Sequence, residues 1–170
     1  GTDYEPGDFI QFPEDAWRDA NSQWRLAPGG APWTLLAAEN THPNGTNSAP
    51  NEEMWTVRRW TADADASVFI NWTTRAVNAN GDGTTGAVHI NGVRVDSATI
   101  AGNDTTGVSR TVAASVSAGD VIDLILTPQG LTNSADGSDG SANSMTIEGD
   151  FDEDGSSDLA EYTAGTDPTN

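Results

Sequence analysis

From Met54 onward, apolar and polar residues alternate in short runs separated by Gly, Asn and Asp, the pattern of half-buried strands rather than helices. The runs "EMWTVRRWT", "SVFINWTT", "GAVHI", "VRVDSATI", "RTVAASV", "VIDLILT" and "SMTIEG" predict strands at the spacing of a β-sandwich. In "AVHINGVRV", Asn91 and Gly92 supply the two positive-φ residues of a tight hairpin turn. That turn pairs Ile90 with Val93, His89 with Arg94 and Val88 with Val95. The four aliphatic residues are then expected on the core face, with His89 and Arg94 together on the other. By the same parity Val68, Ile70 and Trp72 share a buried face, as do Ile122, Leu124 and Leu126.

The first 53 residues are less regular. Turn signals such as "PGD", "APGGAP" and "THPNGTN" separate aromatic residues, with short strands expected through "DFIQF", "SQWRL" and "WTLLAA". "PEDAWRDANSQW" fits one or two helical turns starting at Pro13. No amphipathic helix of ordinary length precedes residue 158, and no fixed-period repeat is present. The expected class is all-β, an antiparallel sandwich over residues 1–149, followed by a short acidic tail over 150–170.

Composition sharpens this picture. The 170 residues carry 26 acids against 7 basic residues, a net charge of -19, and every basic residue is arginine. Such a surface repels nucleic acid and suits a saline habitat or divalent cations. With no cysteine, disulfides and thiolate metal sites are excluded. No run is long enough to span a bilayer and no leader opens the chain, so a mature piece of a secreted or cell-surface protein is expected.

The tail "GDFDEDGSSDLAEYTAGTDPTN" fits a twelve-residue calcium loop. Asp150, Asp152 and Asp154 stand at positions 1, 3 and 5, Gly155 at 6, Ser156 at 7, Asp158 at 9 and Glu161 at 12. Calcium takes six to eight hard oxygens, which alternating carboxylates provide if the chain turns sharply at Gly155. Ser156 would offer its carbonyl, Asp158 a direct or water-bridged contact, and Glu161 two oxygens. A strand-like run precedes the loop where an EF-hand has its entering helix, and Ser157 stands at position 8, usually aliphatic in paired EF-hands. Two further clusters, Asn78, Asn80 and Asp82 in "NANGDGTTG" and Asp136 and Asp139 in "NSADGSDGSANS", offer oxygen ligands for a second ion. Neither has a glutamate at the right distance, and ordinary Asx–Gly turns account for the same residues.

Catalysis finds little footing: there are two histidines, His42 and His89, no nucleophile elbow, and no acid pair marked out among 26. Six tryptophans among twelve aromatics suit burial and, where exposed, the C–H faces of sugars. Trp17, Trp24 and Trp33 lie in the irregular third and are the expected stacking residues. Arg58 or Arg59, on opposite faces of one strand, is the expected polar partner.

The strings "MWTVRRWTADADASVFINWTT", "NGDG", "VHINGVRV" and "VSAGDVIDLILTPQG" resemble the jelly-roll ancillary modules of bacterial polysaccharide-degrading enzymes. The tail, with "DLAEYTAGTDP", resembles one thrombospondin type 3 or dockerin-like calcium repeat. The resemblance implies a non-catalytic, calcium-stabilised carbohydrate-binding module linked covalently to catalytic or further calcium-repeat modules. Its partner would be a polysaccharide or oligosaccharide. A structural or adhesive calcium-binding spacer, and a small sandwich-fold lyase or hydrolase, remain as alternatives.

Overall fold

The computed structural model describes residues 4–5, 7–150, 152 and 154–166. Two 3-10 turns, Glu14–Ala16 and Asp19–Asn21, flank the two-residue strand β1 (Trp17–Arg18). Short strands follow: β2 (Gln23–Arg25), β3 (Leu35–Ala37) and β4 (Asn40–His42). The longer strands are β5 (Thr56–Thr61), β6 (Ala66–Ala76), β7 (Thr84–Ile90), β8 (Val93–Ile100), β9 (Val108–Val116), β10 (Val121–Thr127) and β11 (Ser141–Gly149), and helix α1 (Asp158–Ala164) comes last. They form two antiparallel sheets, ordered β1-β2-β3-β4-β11-β6-β9 and β5-β10-β7-β8. The run "DFIQF" forms no strand.

The inner faces meet as the alternation predicts. Ala62, Val68, Ile70, Trp72, Val88, Val116, Ile122 and Leu124 form the core cluster. Trp72 is fully buried and lies against the backbone of β7 at Gly86, where a Cβ would come within 3.0 Å of its ring. A buried indole N–H needs an acceptor. Asp96 provides it, with Oδ2 at 3.0 Å, while its Oδ1 pairs with Arg110 at 2.8 Å.

That inward position of Asp96 corrects the hairpin. Asn91 and Gly92 do turn with positive φ, and Ile90 pairs with Val93 and His89 with Arg94. A bulge then shifts the register, so Val88 faces Asp96 and Val95 is the extra residue. Val88 is buried, but Val93 and Val95 are 46% and 41% exposed, because β8 is the edge strand and its parity resets at the bulge.

On β10, Ile122, Leu124 and Leu126 are buried, and so are Asp123, Ile125 and Thr127 on the opposite face. The outer face of this sheet is covered by the amino-terminal segment around Tyr4 and Phe9. Tyr4 lies 5.2 Å from the His89 ring, and the Phe9 ring carries the Arg59 guanidinium 3.6 Å above its centroid.

Candidate functional site

At the tail, β11 runs directly into the acidic loop, whose first residue is tied to the sandwich by Asp150 N–H donating to the Ser67 carbonyl at 3.0 Å. Gly155 takes a φ of 96°, the turn that lets the alternating acids face inward. Asp150, Asp152 and Asp154 each present an oxygen within 4.8 Å of the others. Asp150 Oδ1, Asp152 Oδ2 and Glu161 Oε2 are buried and accept no hydrogen bond from a described group. Ser157 explains the departure at position 8: its hydroxyl accepts from Ala160 N–H at 3.2 Å, capping α1, and donates to Glu148 at 2.8 Å. The cap starts the helix that carries Glu161, whose carboxyl is pushed up by burial and then by the charges of Asp152, Asp154 and Asp158. Ser156 is exposed with its N–H on Asp154 at 2.8 Å, and Asp158 opens α1.

The two remaining acidic clusters, separate in sequence, are brought together. Asn78 donates to the Ser138 carbonyl at 3.1 Å, and Gly81 packs against Gly137 and Asp139. Their acids have different duties. Asp82 accepts from the Thr132 and Asn133 N–H groups, both at 2.9 Å, and from the Thr132 hydroxyl at 2.8 Å, bonds that hold its carboxyl below the usual range. Asp136 accepts from Gly45 N–H at 2.9 Å and the Ser48 hydroxyl at 2.8 Å. Both fasten loops. Asn80 is exposed, and Asp139 is 2% exposed with its carboxyl pushed up to about 7 by burial and by Asp136 and Asp82.

The expected glycan residues are dispersed. Trp17 and Trp24 face each other across β1 and β2 with centroids 5.3 Å apart at 61°, leaving Trp17 39% exposed and Trp24 half-buried. Trp33 is also 39% exposed, its backbone N–H donating to the Asn44 side-chain oxygen at 2.9 Å. The two arginines are committed to other partners, Arg58 half-buried between the sheets and Arg59 exposed on the outer face. Arg58 donates to Asn143 at 3.2 Å and to the Ala37 carbonyl at 2.7 Å, tying the two sheets together. Burial lowers its pKa. Arg59 forms a bidentate pair with Asp123, both bonds 2.8 Å, and that pairing raises its pKa. Tyr4 completes the set by donating to Asp123 at 2.6 Å, and burial, then that bond, raises its pKa.

Beside this network, on the same outer face, lies a groove of about 230 Å³ lined by Glu53, Trp55, Thr85, His89, Arg94 and Gln129, among others. Trp55 is 37% exposed, and its ring is fixed by the indole N–H on Glu53 at 3.1 Å and by the edge of Tyr4 at 6.5 Å and 87°. Sequence reasoning placed Trp55 only within a strand run. Its parity with Val57 and Arg59 was the available signal, since alternate residues share a face. A second depression, about 340 Å³ between β6 and β9, is lined mainly by small side chains with Phe69 and Asp150.

No family model matches the sequence, and no curated protein is similar to it. Among solved structures, the chain is similar to a family 35 carbohydrate binding module from Clostridium thermocellum, with 12% identity, 74% of this chain and 85% of that one covered, and a TM-score of 0.38. It is also similar to a family 35 module from an environmental isolate, with 17% identity, 74% and 83% coverage, and a TM-score of 0.35. A third such structure, from Paenibacillus barcinonensis, gives 14% identity, 74% and 88% coverage, and a TM-score of 0.31. At these TM-scores the likenesses carry no argument about this chain, whose sandwich rests on its own strand register. Among the described residues no helix is long and apolar enough to cross a membrane.

Proposed function

We propose that this chain is a non-catalytic carbohydrate-binding module of a secreted polysaccharide-degrading enzyme, with calcium held by its tail loop. The observation that carries the binding reading is the groove around Trp55: an exposed indole in a fixed orientation, with Glu53, Arg94 and Gln129 as hydrogen-bonding groups around it. A sugar ring stacks its C–H face on such a plate while its hydroxyls meet the polar side chains. The groove lies below the 300–1,000 Å³ usual for ligand pockets, which suits a terminal sugar or one unit of a chain. Glycosidic hydrolysis in its usual form needs two carboxylates flanking the bond. Glu53 is the one acid among the groove-lining residues, and the nearby Asp123 is locked by Arg59 and Tyr4.

A glycan array with the intact chain, followed by titration of the best hit, tests this. Trp55→Ala is expected to weaken binding at least tenfold with little change in melting temperature, since the ring is more than one-third exposed. Unchanged affinity in Trp55→Ala, with loss in Trp17→Ala or Trp33→Ala instead, would move the site to the β1–β3 edge.

The tail reading rests on the three converging aspartates and the buried, unbonded oxygens of Asp150, Asp152 and Glu161. An all-oxygen set of this charge suits a hard divalent cation of calcium type. Bound there, it would lock α1 against the loop and the end of β11.

A further inference from the structure

Asp139 poses a problem that the tail loop and the groove do not solve. It is 2% exposed, and neither carboxylate oxygen accepts a hydrogen bond from a described group. The charges acting on it come from Asp136 and Asp82, both negative. Ionised, such a group pays for desolvation with no compensating partner. Protonated, it brings a hydroxyl that needs an acceptor, and the two neighbouring acids keep their charge. A water molecule would donate hydrogen bonds without neutralising anything. A cation answers all three demands together.

We propose that Asp139 is the anchoring ligand of a calcium ion seated between the 78–82 and 136–140 loops, a second site independent of the tail loop and of the glycan reading. The surrounding atoms fit a hard cation. A Cβ at Gly81 would meet the Gly137 carbonyl oxygen at 2.6 Å and Asp139 Oδ1 at 3.3 Å, so glycine leaves open the space beside the carboxylate. Asn78 ties the first loop to the second through the Ser138 carbonyl. The carboxylates of Asp82 and Asp136 are held in place by their backbone and hydroxyl donors, and their negative charge adds to the attraction for a cation. Thiolate ligands are excluded, because the chain has no cysteine.

The test counts calcium ions bound per chain by equilibrium dialysis at matched ionic strength. In a chain whose tail loop is silenced by Asp152→Asn with Glu161→Ala, one ion is expected to remain. Adding Asp139→Asn is expected to remove it, and Asp139→Asn alone should lower the unaltered chain's count by one. The proposal is overturned if the tail-silenced chain binds none, or if Asp139→Asn leaves the count unchanged. Should circular dichroism show that Asp139→Asn does not fold, the count in the tail-silenced chain, where Asp139 is untouched, decides alone.

Discussion

The two faces of β10 are buried to the same degree by different means. Inward, Ile122, Leu124 and Leu126 pack against the facing sheet with no polar atom to satisfy. Outward, Asp123 is equally inaccessible, but its two oxygens take three charge-assisted or short bonds from Arg59 and Tyr4. The inner face gains from removing apolar area from water, a term that scales with size and tolerates exchange. The outer face depends on each partner being present, because a buried charge that loses its partner keeps the desolvation cost.

Substitution separates the two most sharply where the effects are largest. Leu124→Ala is expected to cost about 4 kcal/mol, within the usual range for a large-to-small core change. Arg59→Ala is expected to cost about 3 kcal/mol, because Asp123 is left fully buried without its guanidinium partner. Replacing both partners, with Asp123→Leu and Arg59→Met, should cost clearly less than Arg59→Ala alone. Urea unfolding of the four proteins reads all of this. If the double variant is the least stable of the set, the outer face owes its stability to the ion pair itself, and the contrast between the faces collapses.

The inner face was legible in the sequence and the outer face was not, for a physical reason. Period-two alternation reports which residues face an apolar partner, so Val68, Ile70, Trp72, Ile122 and Leu124 could be placed from spacing alone. It does not report that a segment 119 residues away will lie over the other face, which is what Tyr4 does to Asp123. The groove shares that origin, since Tyr4 props Trp55 and covers His89. The convergence of Asp150, Asp152 and Asp154 was legible because it is local, alternating acids brought together by one turn at Gly155. The bulge at Val95 was hidden, although the need of a buried indole for an acceptor, here Asp96, was the available signal.

The tail loop supplies the intermediate case, in which buried oxygens of Asp150, Asp152 and Glu161 accept no hydrogen bond from a described group. Where Asp123 has Arg59, the tail acids have one another, and Glu161 is pushed up by burial and then by Asp152, Asp154 and Asp158. Calcium at one hundred times its dissociation constant adds about 2.7 kcal/mol to any fold that alone binds it. The melting temperature is therefore expected to rise between excess chelator and millimolar calcium at matched ionic strength. Part of that rise should vanish in Glu161→Ala, in which calorimetry should also show the uptake of one ion lost. Equal melting temperatures in calcium and chelator would mean that the tail acids, like Asp123, are already satisfied without a metal.

The smallest effect bears on the hairpin, where alternation alone misassigned a face. Val88 and Val95 would be equivalent cross-strand partners in an unbulged ladder, and replacing either should then open a similar cavity. With the bulge, Val88 stays fully buried while Val95 is 41% exposed on an edge strand. Val88→Ala is accordingly expected to cost about 2 kcal/mol, as core truncations do. Val95→Thr keeps the β-branched shape the strand favours, adds a hydroxyl that reaches solvent, and is expected to stay within about 0.5 kcal/mol of the parent. Comparable losses in the two variants would return Val95 to the core and place Asp96 outside it, and Trp72 would then need another acceptor for its indole N–H.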